Sequence, residues 1–197
     1  MQKFLGKLFY YLFTFPRYKF LFAKIGNSAR LMNTRVDGFR NIQIGDKVFI
    51  SEGTWLAALP MQKDASCKLH IASGTYIGRY AHIYATEKIE IAEKVLIADK
   101  VYISDNQHNY ENIQLPVIAQ PVKQLNPVKI DSGAWIGENV CIIGASVGKN
   151  SVIGANAVVT KNIPDCCVAA GIPAIIIKRY NFETGQWQKT DAMGNFV

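Results

Sequence analysis

Histidine, paired cysteine and long apolar runs are all scarce in this chain of 197 residues. No apolar run reaches the length of a membrane span, and Pro16 would break or kink a helix in the one region that comes near it. A transmembrane helix is therefore not expected. No small-residue cleavage site follows the first apolar run, so a secretory leader is not expected either. The four cysteines form no C-x-x-C pair, and Cys166 and Cys167 are adjacent, which does not suit an ordinary bridge. They read as small hydrophobes in a reducing cytoplasm. Acidic residues are absent from positions 1–30, which carry Lys3, Lys7, Arg17, Lys19, Lys24 and Arg30 and so supply six of the seven net positive charges. The rest of the chain is nearly neutral, which leaves no basic face for nucleic acid.

What remains is an ordinary globular composition, 49% hydrophobic and 19% charged, long enough for one well-cored domain. Residues 1–35 read as a basic, aromatic helical segment, with Phe4, Phe9, Tyr11, Phe13, Phe15 and Phe20 interleaved with lysine and arginine. Two readings stay open for it: a surface helix that meets an anionic membrane, or a helix packed against the body of the protein or a neighbouring subunit.

From residue 42 onward an aliphatic residue returns every sixth position. The blocks run IGDKVF and ISEGTW, then IASGTY, IGRYAH and IYATEK, then IAEKVL, IADKVY and ISDNQH. A third group holds IDSGAW, IGENVC, a short IIGAS, VGKNSV, IGANAV and VTKNIP. A helix repeats at about 3.6 residues and a half-buried strand at about 2, so neither has this period. Six residues suit a short strand plus a turn, with the aliphatic side chain always returning inside. The small or β-branched fifth position suits a tight corner, and Gly or Asn at the third and fourth positions suits unusual backbone angles. Stacked coils of this kind form one repeat domain, placed at 36–178.

The repeat breaks twice, at 57–68 and, at greater length, in the inserted loop 105–127. Such breaks are where function is expected, because a loop can vary without damaging the core. His108 lies at the root of the longer one, which Pro116, Pro121 and Pro127 restrain. A histidine is a good general base at neutral pH, provided its second ring nitrogen is held by an acceptor. Asp105, Asn106, Glu111 or a backbone carbonyl are the candidates. Zinc would need three or four converging ligands, yet His70 and His82 fall on different sides of a three-sided coil and Asn112 stands four residues after His108. No metal is expected.

These blocks, above all Trp135 to Pro164, resemble the hexapeptide-repeat acyltransferases, the maltose and galactoside acetyltransferases and the O-acetyltransferases of lipopolysaccharide and capsule. The resemblance covers roughly residues 40–178. It implies an all-β solenoid, a left-handed parallel β-helix that assembles as a homotrimer with sites between subunits. It implies acetyl-CoA as co-substrate and, as acceptor, a sugar, sugar nucleotide or lipid-linked glycan. On this likeness His108 is the catalytic base, with Trp135 flanking it. Ala98, Gly137, Ala155 and Thr160 would lie along the coenzyme, Lys161 would approach its phosphates, and Lys178 and Arg179 would reach its nucleotide end.

The sequence also departs from these relatives. Asn109 replaces a proline beside the base, the block Ile142–Ser146 is one residue short, and Gly78 and Thr86 stand where galactoside enzymes carry sugar-gripping residues. His82, Tyr84, Glu87 and Tyr110 are the replacements available for an acceptor site. Residues 179–197 read as a hairpin and tail that cap the open end of the coil. Three function readings follow: O-acetylation of a surface-polysaccharide sugar in the cytoplasm, at the inner face of the membrane; N-acetylation of an amino sugar; and a non-catalytic scaffold.

Overall fold

The computed structural model describes residues 15–61, 66–191 and 194–197. The part of the expected N-terminal helix before Phe15 lies outside the described residues. Among the described residues, strand is nearly the only regular structure outside Phe15–Leu21 and two 3-10 turns. The chain visits three parallel sheets in rotation, and each strand pairs with the one a full circuit later. The first face holds Lys24–Ile25, Ile42–Ile44, Lys68–Ile71, Lys88–Ile91 and Val128–Ile130. The second runs from Arg30–Leu31 through Phe49–Ile50, Tyr76–Ile77, Leu96–Ile97, Trp135–Ile136 and Val152–Ile153 to Cys167–Ala170. The third holds Arg35–Asp37, Trp55–Ala58, His82–Ala85, Tyr102–Ser104, Cys141–Ile143 and Val158–Val159.

The six-residue period is the residue count of one side of this rotation. The first position of each block points inward: Ile50, Ile77, Ile83, Ile97, Ile103, Ile136 and Ile153 are all wholly buried. Each contributes about 1.5–3 kcal/mol of burial. The fifth position also points inward, which is why it is small or β-branched: Val48, Thr54, Thr75, Ala81, Val101 and Ala157 are buried with it.

The corners carry a sharper rule than the sequence reading. From Ile44 onward, wherever the chain turns from the first to the second face, or from the second to the third, the fourth residue of the six-residue block adopts positive φ. Glycine occupies only Gly53, Gly74 and Gly133, at 73–74°. Lys47, Tyr80, Lys94, Lys100, Asn139, Asn150 and Asn156 hold the same conformation, at 53–61°. The third position, expected to share this role, does not.

Every lengthening of the repeat falls at the one remaining corner, from the third face back to the first. There lie the turn 38–41, the excursion 59–67, the pair 86–87 and the loop 105–127. The short block Ile142–Ser146 falls there too, for a packing reason: a Cβ on Gly144 would sit 2.8 Å from the Cβ of Leu125, where the loop returns.

The sheets begin earlier than expected. Lys24–Ile25 already pairs with the strand at Ile42–Ile44, so within 1–35 the described helix is only Phe15–Leu21, named α1. At the other end Ile175–Asn181 adds antiparallel to Cys167–Ala170, and Gln186–Lys189 adds antiparallel to it, which covers the sheet edge.

The positive-φ rule is testable. Lys47→Val should lower stability by about 1–2 kcal/mol, because a β-branched residue is the worst occupant of that conformation. Lys47→Gly should remain within about 1 kcal/mol of wild type, and urea unfolding separates the two.

Candidate active site

His108 ends the short strand Asn106–His108, which pairs antiparallel with Val122–Gln124 to form the neck of the loop. The side chain is exposed. The loop beyond it is braced from within rather than loose. Gln120 is buried and spans it, accepting from Asn112 N at 3.1 Å and donating to the carbonyls of Asn112 and Leu115 at 2.9 and 3.0 Å. Asn109 and Asn112 each accept a hydrogen bond from the backbone N–H two residues on.

Asp105, expected to orient the base, is committed elsewhere. It is wholly buried, and its carboxylate accepts from the backbone N–H groups of Thr86, Glu87 and Lys88 at 2.7–2.8 Å. The Thr86 hydroxyl and the Asn106 amide reach the same carboxylate at 2.9 and 3.1 Å. Its backbone carbonyl accepts from Leu125 N and Gln124 Nε2, both at 2.8 Å. Asp105 thus ties both ends of the loop to the corner one coil below. Of the other candidates, Asn106 donates to the Tyr84 carbonyl and Glu111 pairs with Lys123. None of these contacts is made to the His108 ring.

His82 and Tyr84 project outward from the third face, and a feature missed in the sequence surrounds them. Trp55 stacks on His82 with centroids 4.1 Å apart and planes 8° apart, and Tyr102 meets His82 edge-on at 5.3 Å. The Arg35 guanidinium covers the other end of the stack, 4.2 Å from the Trp55 ring. Asp37 accepts from Trp55 Nε1 at 2.7 Å and from Arg35 Nε at 3.0 Å. Trp55, His82 and Tyr102 all occupy the sixth position of the blocks that lead onto the third face, one circuit apart. The Nε2 of His82 is buried without a hydrogen-bond partner among the described residues. Burial first, and the Arg35 charge second, hold its pKa below the ordinary value.

The expected coenzyme residues divide between two edges. Ala98, Gly137 and Ala155 line up where the second face turns to the third. A Cβ on Gly137 would lie 2.7 Å from Ala155 N, and one on Gly78 2.5 Å from the Ala98 carbonyl, so glycine is required at both, while Ala155 is exposed. Thr160 and Lys161 are exposed at the edge from third face to first, the edge that also bears His108. Trp135, expected beside the base, stands on the second face with Leu96 and Val152, so within one chain it does not flank His108. Glu87 and Tyr110 are exposed at the corner and in the loop. Lys178 is exposed, whereas Arg179 donates to the Gly194 carbonyl and lies over Phe196.

Cys67 is no nucleophile: burial, with the Asp105 charge second, pushes its thiol up to about 12. His70 stands on the first face and His82 on the third, as their spacing predicts, and among the described residues no three His, Cys, Asp or Glu side chains converge.

Two outcomes are expected. Asp105→Ala strands three backbone donors and should cost about 3 kcal/mol or more, read as a lowered unfolding midpoint. The depressed pKa of His82 means that the unfolded chain binds its proton more readily. The contribution of His82 to stability is therefore complete above about pH 6.5 and is lost as pH falls through its folded value. Its ring proton should titrate below 6.5 by NMR, and His82→Phe should flatten that part of the stability profile.

The family described as the hexapeptide repeat of succinyl-transferase matches residues 127–161. A protein of Escherichia coli K12 named as a lipopolysaccharide biosynthesis O-acetyl transferase, WbbJ, is 37% identical over 128 residues, 61% of this chain and 65% of that protein. The galactoside O-acetyltransferase of the same organism is 48% identical over 56 residues, 28% of each chain. The chain therefore spans less than two thirds of the length of these relatives. Among solved structures, a galactoside acetyltransferase in complex with coenzyme A is 26% identical with a TM-score of 0.57, covering 91% of this chain and 74% of that one. AntD, an N-acyltransferase from Bacillus cereus in complex with dTDP and 3-hydroxybutyryl-CoA, is 20% identical with a TM-score of 0.73, covering 87% and 90%, a likeness of fold. In its repeat, in its sequence over the matched stretches and in its fold, the chain is similar to the hexapeptide-repeat acetyltransferases.

Proposed function

We propose that this protein transfers an acetyl group from acetyl-CoA to a sugar hydroxyl, with His108 as general base. One observation carries the reading. The third face is bounded on one edge by the column Gly78, Ala98, Gly137 and Ala155, and on the other by His108, Thr160 and Lys161. Its small residues leave the backbone open to approach, which suits a flexible pantetheine arm lying against it. His108 takes the hydroxyl proton as the oxygen attacks the thioester carbon. The tetrahedral intermediate then collapses, the carbon–sulfur bond breaks, and the departing thiolate recovers the proton from the imidazolium.

We infer that the coil is a left-handed β-helix and that three copies assemble, because one chain leaves the two halves of the site on different edges. Ile113 and Ile118 in the loop are 90% and 92% exposed, which suits coverage by a neighbouring copy. The acceptor reading rests on the similarity to WbbJ. His82, Tyr84, Glu87 and Tyr110 are proposed to face the sugar. The fold likeness to AntD favours an amino group as the rival acceptor, and assays with paired hydroxyl and amino sugars separate the two. We further propose a cytoplasmic enzyme held at the inner face of a membrane through residues 1–30.

His108→Ala should keep its fold and its thermal shift with acetyl-CoA while losing at least about a hundredfold in transfer rate. An unchanged rate defeats the assignment, and the absence of any shift with acetyl-CoA favours a scaffold. Light scattering should give a trimer of the 21.9 kDa chain, dissociated by Ile113→Asp together with Ile118→Asp.

A further inference from the structure

We infer that the outward side of α1 and the two corners stacked next to it form a docking surface for an anionic lipid bilayer. This rests on the peripheral membrane contact proposed above and assigns it to particular residues.

The inward side of the helix is already satisfied. Phe15 and Phe22 are buried, and Tyr18 packs with them: Tyr18 meets Phe22 edge-on at 5.5 Å, and Phe22 meets Phe39 at 4.9 Å. These contacts fix which way the helix faces. Arg17, Lys19, Phe20 and Leu21 are left outward, with Phe20 76% exposed. Core packing therefore gives no reason for an aromatic residue at position 20.

The patch does not end with the helix. Phe39 belongs to the turn 38–41, and that turn touches the corner above it. Asn41 Nδ2 donates to the Ala58 carbonyl at 2.9 Å, and a Cβ on Gly38 would lie 2.0 Å from the same oxygen. From these two corners Arg40, Leu59 and Met61 are exposed, and Lys24 is exposed just after the helix. Apolar tips interleaved with Arg17, Lys19, Lys24 and Arg40 are what a headgroup layer accepts: side chains that insert, and cations that meet lipid phosphates.

The charge distribution selects the occupant. Residues 1–36 hold seven of the 22 basic residues and none of the 15 acidic ones. The remainder holds 22 − 7 = 15 basic and 15 acidic residues, a net charge of zero. The entire positive excess thus belongs to the segment that carries this patch. A second copy of the chain would bring the same positive segment against it, whereas an anionic bilayer complements it.

The test is sedimentation of the full chain with large vesicles of phosphatidylglycerol mixed with phosphatidylcholine, against phosphatidylcholine alone. Wild type should partition onto the anionic vesicles only, and raising salt from about 0.1 to about 0.5 M should release it. Phe20→Glu with Leu21→Glu, and separately Arg17→Glu with Lys19→Glu, should each lower partitioning at least about tenfold. These side chains are exposed, so the unfolding midpoint and acetyl transfer to a soluble acceptor should stay at wild-type values. No binding by wild type overturns the membrane contact itself. Binding that survives both double variants overturns the assignment to this surface. Loss of self-association in the Phe20→Glu, Leu21→Glu variant, with vesicle binding intact, makes the occupant a second copy and overturns the proposal.

Discussion

The left-handed residue in the fourth position of the blocks that turn the first two corners, from Ile44 onward, is the constraint on which the structure depends. It reverses the chain within four residues, so that two short strands can stand on adjacent faces while their aliphatic residues still meet inside. Because strands stack in register from coil to coil, a corner cannot lengthen without displacing those above and below. From Ile44 onward two of the three edges accordingly keep one length, and residues as unlike glycine as Tyr80 and Lys100 accept the strain of positive φ to keep them so. The third edge carries no such rule. It takes a turn, an excursion, a two-residue pair and a long loop in successive coils, and whatever is specific to this protein accumulates there.

A loop inserted into a stacked coil needs its two ends fixed, or the strain of insertion spreads into the sheets. Asp105 does this. Its carboxylate collects the N–H groups of the corner below, where two extra residues leave backbone donors with no strand to pair with. Its carbonyl collects the returning end of the loop through Leu125 and Gln124. A buried carboxylate with this many donors is well compensated, where an unpaired one would be prohibitively costly. The neck strand bearing His108 is held by this knot, so Asp105 governs where His108 stands without touching it. The shortened block at Gly144 belongs to the same arrangement, since it makes room for Leu125.

The period of six made the fold legible, because burial recurs wherever the period places an aliphatic residue. The earliest circuit was not legible: Ile25, Ala29 and Leu31 occupy interior positions, but the turn 38–41 breaks the count before it can repeat. His108 could be found because it sits at an interruption. The role of Asp105 could not, because a buried carboxylate serving backbone donors and one serving a histidine look alike in sequence. The column Arg35, Trp55, His82 and Tyr102 was hidden for another reason. Its members lie a full circuit apart, and circuits differ in length by as much as the insertions they carry.

The same geometry bears on why the site should need more than one copy. Among the described residues the interior of the coil is filled by buried aliphatic side chains, so a ligand meets an outer face. A second surface laid against the third face, as in the trimer proposed above, would enclose one. The third face is the natural floor for such a cleft, since its two edges carry the small-residue column and His108, and its centre carries the stacked aromatic column. The unpartnered Nε2 of His82 lies in that floor. A coil of this kind keeps its core rule-bound and leaves its chemistry to what the faces meet outside, so the free edge, the loop and the charged N-terminal segment are where this chain can differ from its relatives without cost to the fold.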